Sequence, residues 1–366
     1  MTANFTPLAA SLPATVPFIG PETQERGLGT TFRARLGANE SMFGPSPQAI
    51  AAMQAAATDV WMYGDPENHD LKAALATHHR VGTENIVVGE GIDALLGYLV
   101  RLFVAPGDRV VTSLGAYPTF TFHVAGYGGE VIRVPYNGNH EDPTALLAAA
   151  RAHHAKLIYF ANPDNPMGSH HPAATIMAML NDLPTGCLLV LDEAYVDLAP
   201  AGTAPEIAAD DPRMIRLRTF SKAYGLAGLR VGYAIAAPAL AQAFDKLRNH
   251  FGVGRIAQAG ALAALQDQAH LGVVRALVDV ARQRLTQIAA QNNASALRTA
   301  TNFTCLDLGR TGDYARATLR ALSHLGVFVR MPGMAPQDRC IRVSHGTAAA
   351  MDIFAEALPT ALRSIG

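Results

Sequence analysis

Lys222, beside Ser221 and followed by Gly225 and Gly228, is a residue type that forms a Schiff base with a carbonyl compound once its surroundings lower its pKa. Taken alone, a lysine is ordinarily a solvated surface charge. An apolar run that ends in a carboxylate, Leu188-Leu189-Val190-Leu191-Asp192, sets that charge in a partly buried cleft. There it needs a cationic partner, and a bound pyridinium would serve. The turn Gly89-Glu90-Gly91-Ile92-Asp93 opens a helix whose free amides and dipole suit a phosphate, although a tight turn explains the same residues. Tyr117, Asn162-Pro163-Asp164-Asn165-Pro166-Met167-Gly168, Asp192-Glu193-Ala194-Tyr195 and Thr219-Phe220-Ser221-Lys222 each follow a strand-like run.

These residues converge only if the runs before them lie side by side. Residues 85–88, 109–113, 130–135, 156–160, 187–191 and 214–217 read as strands, with 228–236 as a further one. Helical stretches at 47–57, 92–104, 143–154 and 172–180 alternate with them, which predicts an open, largely parallel sheet covered on both faces. In such sheets ligands bind beyond the carboxyl ends of the strands, where the polar residues above fall. Helical stretches at 238–248 and 256–288 follow, then strand-like 302–308, 327–330 and 341–343 with helices at 314–325 and 348–362, the texture of a small α+β domain. The first thirty residues or so, with Pro7, Pro13, Pro17 and Pro21, have no helical or strand period and read as an arm of the kind that crosses onto a neighbour. The expected division is an arm over 1–35, a large α/β domain over 36–250, and a linker helix with the small domain over 251–366.

At 366 residues the chain exceeds the size at which a single core stops growing. Hydrophobic residues at 49% and charged residues at 16% exclude a disordered chain and imply extensive burial, a subunit interface included. Lys and Arg (29) balance Asp and Glu (30), so no basic surface is available for nucleic acid or an anionic membrane. The absence of a long apolar run or a signal segment, with three separated cysteines, Cys187, Cys305 and Cys340, predicts a cytoplasmic protein. The adjacent pairs His153-His154 and His170-His171 do not converge on one ion, so no metal site is expected.

The stretch from Ser221-Lys222-Ala223-Tyr224-Gly225 through Arg230-Val231-Gly232-Tyr233 resembles the lysine motif of class I/II pyridoxal-phosphate aminotransferases, particularly the histidinol-phosphate aminotransferase branch. Asn165-Pro166-Met167-Gly168, Asp192-Glu193-Ala194-Tyr195 and Ile341-Arg342-Val343-Ser344-His345-Gly346 match further motifs in family order. Ala38-Asn39-Glu40, Gly44-Pro45-Ser46-Pro47 and Tyr63-Gly64-Asp65-Pro66 resemble its N-terminal signatures, so the likeness runs from about residue 36 to residue 346. It implies the fold-type I architecture, α/β with a large, mostly parallel seven-stranded sheet domain and a small α+β C-terminal domain, working as a homodimer with shared active sites. It further implies pyridoxal phosphate as cofactor. Lys222 would hold it covalently and, once displaced, move a proton at the substrate Cα; Asp192 would pair with the ring nitrogen. Asn165 and Tyr195 would bond the phenolic oxygen and Tyr117 would stack on the ring. Gly91, Ile92, Asp93, Ser221, Arg230 and, from a second subunit, Tyr63 would hold the phosphate, while Arg342, with Arg330 and Asn39, would receive substrate.

Departures from the branch bear on the substrate. Pro17-Phe18 stands where the branch carries Pro-Tyr, and His250-Phe251-Gly252-Val253-Gly254 replaces a segment with a Tyr and two Asn. Met167 replaces a Thr, and Arg255 is a possible local replacement for a lost donor. Each missing donor to a charged group is worth roughly 1.5 to 3 kcal/mol. The expectation is therefore transamination of an unphosphorylated L-amino acid, aromatic or apolar, with a 2-oxo acid. The alternatives are a histidinol-phosphate transaminase, a pyridoxal-phosphate-dependent decarboxylase, an NAD-dependent oxidoreductase, and a non-catalytic ligand-binding or regulatory module of the same fold.

Overall fold

The computed structural model describes residues 4–14, 18–206 and 208–365, so Pro17 lies outside the described residues. The first part of the chain forms α1 (Pro7–Ser11), α2 (Pro21–Leu28), β1 (Ala34–Arg35), α3 (Pro47–Ala56), α4 (His69–His79), β2 (Ile86–Gly89), α5 (Gly91–Phe103), β3 (Arg109–Ser113), α6 (Pro118–Gly126), β4 (Glu130–Val134), α7 (Pro143–His153) and β5 (Leu157–Ala161). Then come α8 (Ala173–Asn181), β6 (Leu188–Asp192), β7 (Met214–Thr219), β8 (Gly232–Ile235), α9 (Pro238–Ala243), α10 (Arg255–Gln266) and α11 (Gln268–Gln291). The last elements are β9 (Ser295–Ala296), β10 (Phe303–Asp307), α12 (Gly312–His324), β11 (Val327–Phe328), β12 (Cys340–Ser344) and α13 (Ala348–Ser364).

Seven strands form one sheet in the order β2-β8-β7-β6-β5-β3-β4. All are parallel except β8, which runs antiparallel to both neighbours. The strands β5 and β6 are buried end to end, because helices cover both faces. Alternation divides their side chains cleanly. Leu157, Tyr159, Leu188 and Val190 pack with α5 residues Leu95, Leu96 and Leu99, whereas Ile158, Phe160, Leu189 and Leu191 pack with Leu146, Ile176 and Met179 on the other face. Asp192 is therefore in phase with Leu188 and Val190, and Glu193 with Leu189 and Leu191. The C-terminal part holds an antiparallel sheet, β12-β10-β9, covered by α12, α13 and the end of α11.

Two readings of the sequence are corrected. The arm contains two helices. Proline at their first positions starts a helix rather than preventing one, and Thr6 and Gly29 close the ends. The stretch 256–288 is two helices, divided at Asp267, whose carboxylate accepts from His270 N at 3.1 Å and caps α11. Packing adds detail near the expected divisions at 35 and 250. Ala34 pairs with Val327 in a two-stranded parallel sheet, and Ala34 and Leu36 lie in the C-terminal core. Val253, Ala257 and Ala261 of the expected linker pack instead in the large domain. Its continuation α11 contributes Leu271 to the large-domain core and Leu285 and Ile288 to the small one, so the passage between them falls inside that helix. No helix of the described residues is long and apolar enough to cross a membrane.

Gly225 closes the loop after Lys222 in the left-handed region, φ +70°, and a Cβ there would lie 2.5 Å from Gly44 O. Gly225→Ala therefore meets both backbone strain and a fixed carbonyl, and should destabilise the protein by about 2 to 4 kcal/mol in thermal or urea melts. A change below about 0.5 kcal/mol, the size of an ordinary surface substitution, would contradict this packing.

Candidate active site

The carboxyl ends of β3, β5, β6 and β7 open on a cavity of about 1070 Å³, bounded on its far side by Arg330, Met331 and Arg342 of the small domain. Asp192 and Lys222 both line it, from neighbouring strands. The Asp192 carboxylate accepts from Tyr159 OH at 2.5 Å and from Ala194 N at 2.9 Å, with no cation paired to it among the described residues. Burial pushes its pKa up to about 6. Lys222 Nζ donates to the Asn39 carbonyl at 3.3 Å and lies 5.7 Å from the Tyr195 ring centroid. Burial, followed by the charge of Arg342, brings its pKa down to about 8. Asp192 is thus a buried charge and Lys222 a partly buried one, each without an ionic partner.

Asn39, in the left-handed region at φ 56°, joins several of these groups. Its Nδ2 donates to Tyr195 OH at 3.1 Å, its backbone N donates to Ser344 Oγ at 3.1 Å, and its carbonyl also receives Asn302 Nδ2 at 3.0 Å. Arg342 is buried, with Nη2 on the Gly37 carbonyl at 3.2 Å, Nη1 donating to Asn165 Oδ1, and its guanidinium 5.2 Å from the Phe303 ring centroid. The Asn165 amide nitrogen then remains as its free donor. Arg342 Nε is buried without a partner.

The helix α5 begins on Gly91, φ +79°, and a Cβ there would lie 2.6 Å from Arg230 Nη2. Arg230 stands over the open helix end, donating to Asp93 Oδ2 at 3.3 Å and to Ser221 Oγ at 3.4 Å. Those free amides, a hydroxyl and a guanidinium form an anion cradle. Tyr117 OH donates to Asp93 Oδ1 at 3.0 Å, so the same carboxylate links the cradle to the aromatic wall.

Most predicted residues line this one cavity, but Tyr63 does not. It is 78% exposed, its ring 4.8 Å from that of Phe251, and its carbonyl receives Arg255 Nη2 at 2.8 Å. Phe251, Gly252, Gly254 and Arg255 sit with it, away from this chain's own cavity. A Cβ at Gly252 would meet the Glu90 carboxylate, the end of a flexible side chain. His250 bonds the Asp245 carbonyl at 3.2 Å in an exposed turn. Met167 is buried against Cys305 and Cys340. Several site residues escaped the sequence reading: Tyr159, Ser344, Asn302 and Arg133, the last an exposed cation at the cavity wall. Only Tyr159 carried a signal, because alternation along β5 places it on the face of Asp192. The described residues contain no group of three or more possible metal ligands, and the three cysteines are free and buried.

The chain matches the family described as aminotransferase class I and II over residues 34–358, and it belongs to that family. Its fold is fold-type I, and it is a pyridoxal-phosphate-dependent transaminase. The crystal structure of histidinol-phosphate aminotransferase from Sinorhizobium meliloti in complex with pyridoxal-5'-phosphate superposes with a TM-score of 0.97 at 52% identity, covering 100% of this chain and 99% of that one. Histidinol-phosphate aminotransferase from Moorella thermoacetica is 35% identical over 341 residues, 92% of this chain and 87% of that protein. The enzyme of the same name from Anaeromyxobacter sp. is 36% identical over 319 residues, 86% and 88% of the two chains.

The residues present fit the cofactor: the cradle for its phosphate, the unpaired Asp192 for its ring nitrogen, and the depressed Lys222 amine for its aldehyde. When bound, pyridoxal phosphate supplies a carbonyl carbon for an amine and a ring that accepts electrons. The neutral amine is the reactive form, and with a pKa of about 8 its fraction rises roughly tenfold from pH 6 to 7 and levels off above about pH 9. Cofactor capture by the cofactor-free protein, followed by visible absorbance, should show that profile. A rate still rising at about pH 10 would be that of an unperturbed lysine.

Proposed function

We propose that this enzyme transfers the amino group of histidinol phosphate to a 2-oxo acid. In histidinol phosphate a phosphorylated CH2–O group takes the place of an amino acid's carboxylate, so the substrate needs cations near the reacting carbon. The observation that carries the reading is the pair Arg330 and Arg342. Their backbones bond each other in both directions, at 3.2 and 2.6 Å, and neither guanidinium has a carboxylate partner among the described residues. Arg330 also lies 5.6 Å from the Phe18 ring centroid and bonds the Ile19 carbonyl at 2.8 Å. Phe18 thus lacks a hydroxyl but supports a guanidinium, which offsets the donor missed in the sequence. The named relatives favour the same substrate over the apolar amino acid expected from sequence.

In this reading Lys222 holds the cofactor and exchanges the proton at the substrate Cα, Asp192 keeps the ring nitrogen protonated, and Tyr195 and the Asn165 amide hold the phenolic oxygen. Gly91, Ile92, Asp93, Ser221 and Arg230 hold the phosphate, Tyr117 faces the ring, and Asn39 orients Tyr195. Borohydride reduction and peptide mapping should find the label on Lys222, and Lys222→Ala should abolish turnover while leaving the melting temperature nearly unchanged. Label on another lysine overturns the assignment.

The reading includes a homodimer, with Tyr63 of a second copy completing each phosphate site, in the cytoplasm. Val60, Trp61 and Tyr63, with Phe251 beside them, leave an exposed apolar patch suited to a two-fold contact. Trp61→Asp should shift the protein toward monomer in light scattering and lower activity in parallel. Full activity in a monomer would contradict the shared site.

A second reading, an aromatic or apolar L-amino acid as donor, is favoured by the Phe18 ring stacked 5.8 Å from Tyr117 in the cavity wall. The comparison of kcat/KM for histidinol phosphate with phenylalanine, tyrosine, histidine, leucine and methionine decides between them. Histidinol phosphate should lead by roughly tenfold or more, about 1.4 kcal/mol, and Arg330→Gln should cost about 10- to 100-fold on that substrate. An amino acid in the lead would reverse the assignment.

A further inference from the structure

Glu193 takes no part in the chemistry above, yet it is buried next to Asp192. Strand alternation sends its side chain to the opposite face of the sheet. There Oε1 accepts from Arg216 Nη2 at 2.6 Å, while Oε2 accepts from Arg216 Nε and Arg218 Nε, both at 2.9 Å. Side-chain exposure is 1% for Glu193, 2% for Arg216 and 10% for Arg218. Both arginines project from β7, the strand that leads through Thr219, Phe220 and Ser221 to Lys222. A fourth bond, Arg216 Nη1 to the Pro205 carbonyl at 3.1 Å, fixes the cluster to the preceding loop. Asp197, Tyr233 and His79 close around it, His79 Nε2 lying 2.8 Å from Tyr233 OH.

The backbone ladder explains why a side-chain link matters at this point. Pairing of β6 with β7 ends at Asp192 opposite Leu217, with one more bond from Glu193 N to the Leu217 carbonyl at 2.8 Å. Beyond it β6 turns away at Ala194, and Arg218 and Thr219 are paired only with β8. The ion cluster therefore begins where the ladder between the Asp192 and Lys222 strands stops. A buried ion pair contributes little stability over well-packed apolar residues of the same shape, so stability alone does not account for it.

We propose that Glu193 is a positioning residue: by clamping Arg216 and Arg218 on the reverse face, it fixes the distance and angle between Asp192 and Lys222. The proposal rests on the roles given to those two residues above. Two variants test it in the cofactor-loaded enzyme: Glu193→Gln, which keeps shape and removes charge, and the triple change Glu193→Leu, Arg216→Met, Arg218→Met, which replaces the cluster by apolar side chains. The triple variant should melt within about 5 °C of the parent. In both variants the pH midpoint of the lysine-bound cofactor absorbance should move by about half a unit or more. The half-reaction with the amino donor that leads the kcat/KM comparison above should lose about tenfold or more in maximal rate, with its half-saturating concentration within about twofold. Borohydride label on Lys222 in the same samples reports separately on the cofactor assignment. A folded variant with unchanged midpoint and rate overturns the proposal. So does failure of both variants to fold, which would make the cluster a stability element.

Discussion

Two charges without ionic partners, Asp192 buried at the end of β6 and Lys222 partly buried in the loop after β7, govern this structure. A carboxylate or ammonium taken from water costs several kcal/mol unless its environment returns most of it. The protein returns only part at Asp192, through a phenol and a backbone amide, and only a carbonyl at Lys222. Hence Asp192 is shifted upward and Lys222 downward. The remainder is available to a ligand that brings a cationic ring nitrogen and an electrophilic carbon, and pyridoxal phosphate brings both. Such an arrangement persists only where surrounding packing over-determines it. Here the strands β5, β6 and β7 are buried on every residue and hold the two groups against relaxation toward water.

The parts of this design that were legible in the sequence are those governed by burial. Strands covered on both faces read as uninterrupted apolar runs, and a carboxylate closing such a run, as in Leu188 to Asp192, marks a site on sight. Elements governed by pairing were not legible. The strands β1 and β9 have two residues each, too short for any period, and they exist because β1 finds β11 across 293 residues of chain, from Ala34 to Val327, and β9 finds β10. The bond from Tyr159 to Asp192 spans 33 residues and that from Arg342 to Asn165 spans 177, so both depend on strand register and domain packing. The Phe18 ring, without a hydroxyl, lies against the Arg330 guanidinium, a relation that spacing along the chain does not encode.

The passage from residue 34 to residue 46 joins both halves of the enzyme around the cavity. Ala34 and Leu36 belong to the small-domain core, whereas Gly44 packs its carbonyl against Gly225 in the loop after Lys222. Between these anchors Asn39 bonds Ser344 and Asn302 on the small-domain side and Tyr195 and Lys222 on the other. Its left-handed backbone turns the carbonyl toward Lys222 while the side chain reaches Tyr195. A change of angle between the two domains would therefore move the acceptor of the Lys222 amine together with Arg330 and Arg342, which ride on the small domain. In the proposed reading, substrate anions on those arginines and the amine that would take the substrate proton are in this way coupled through one short segment.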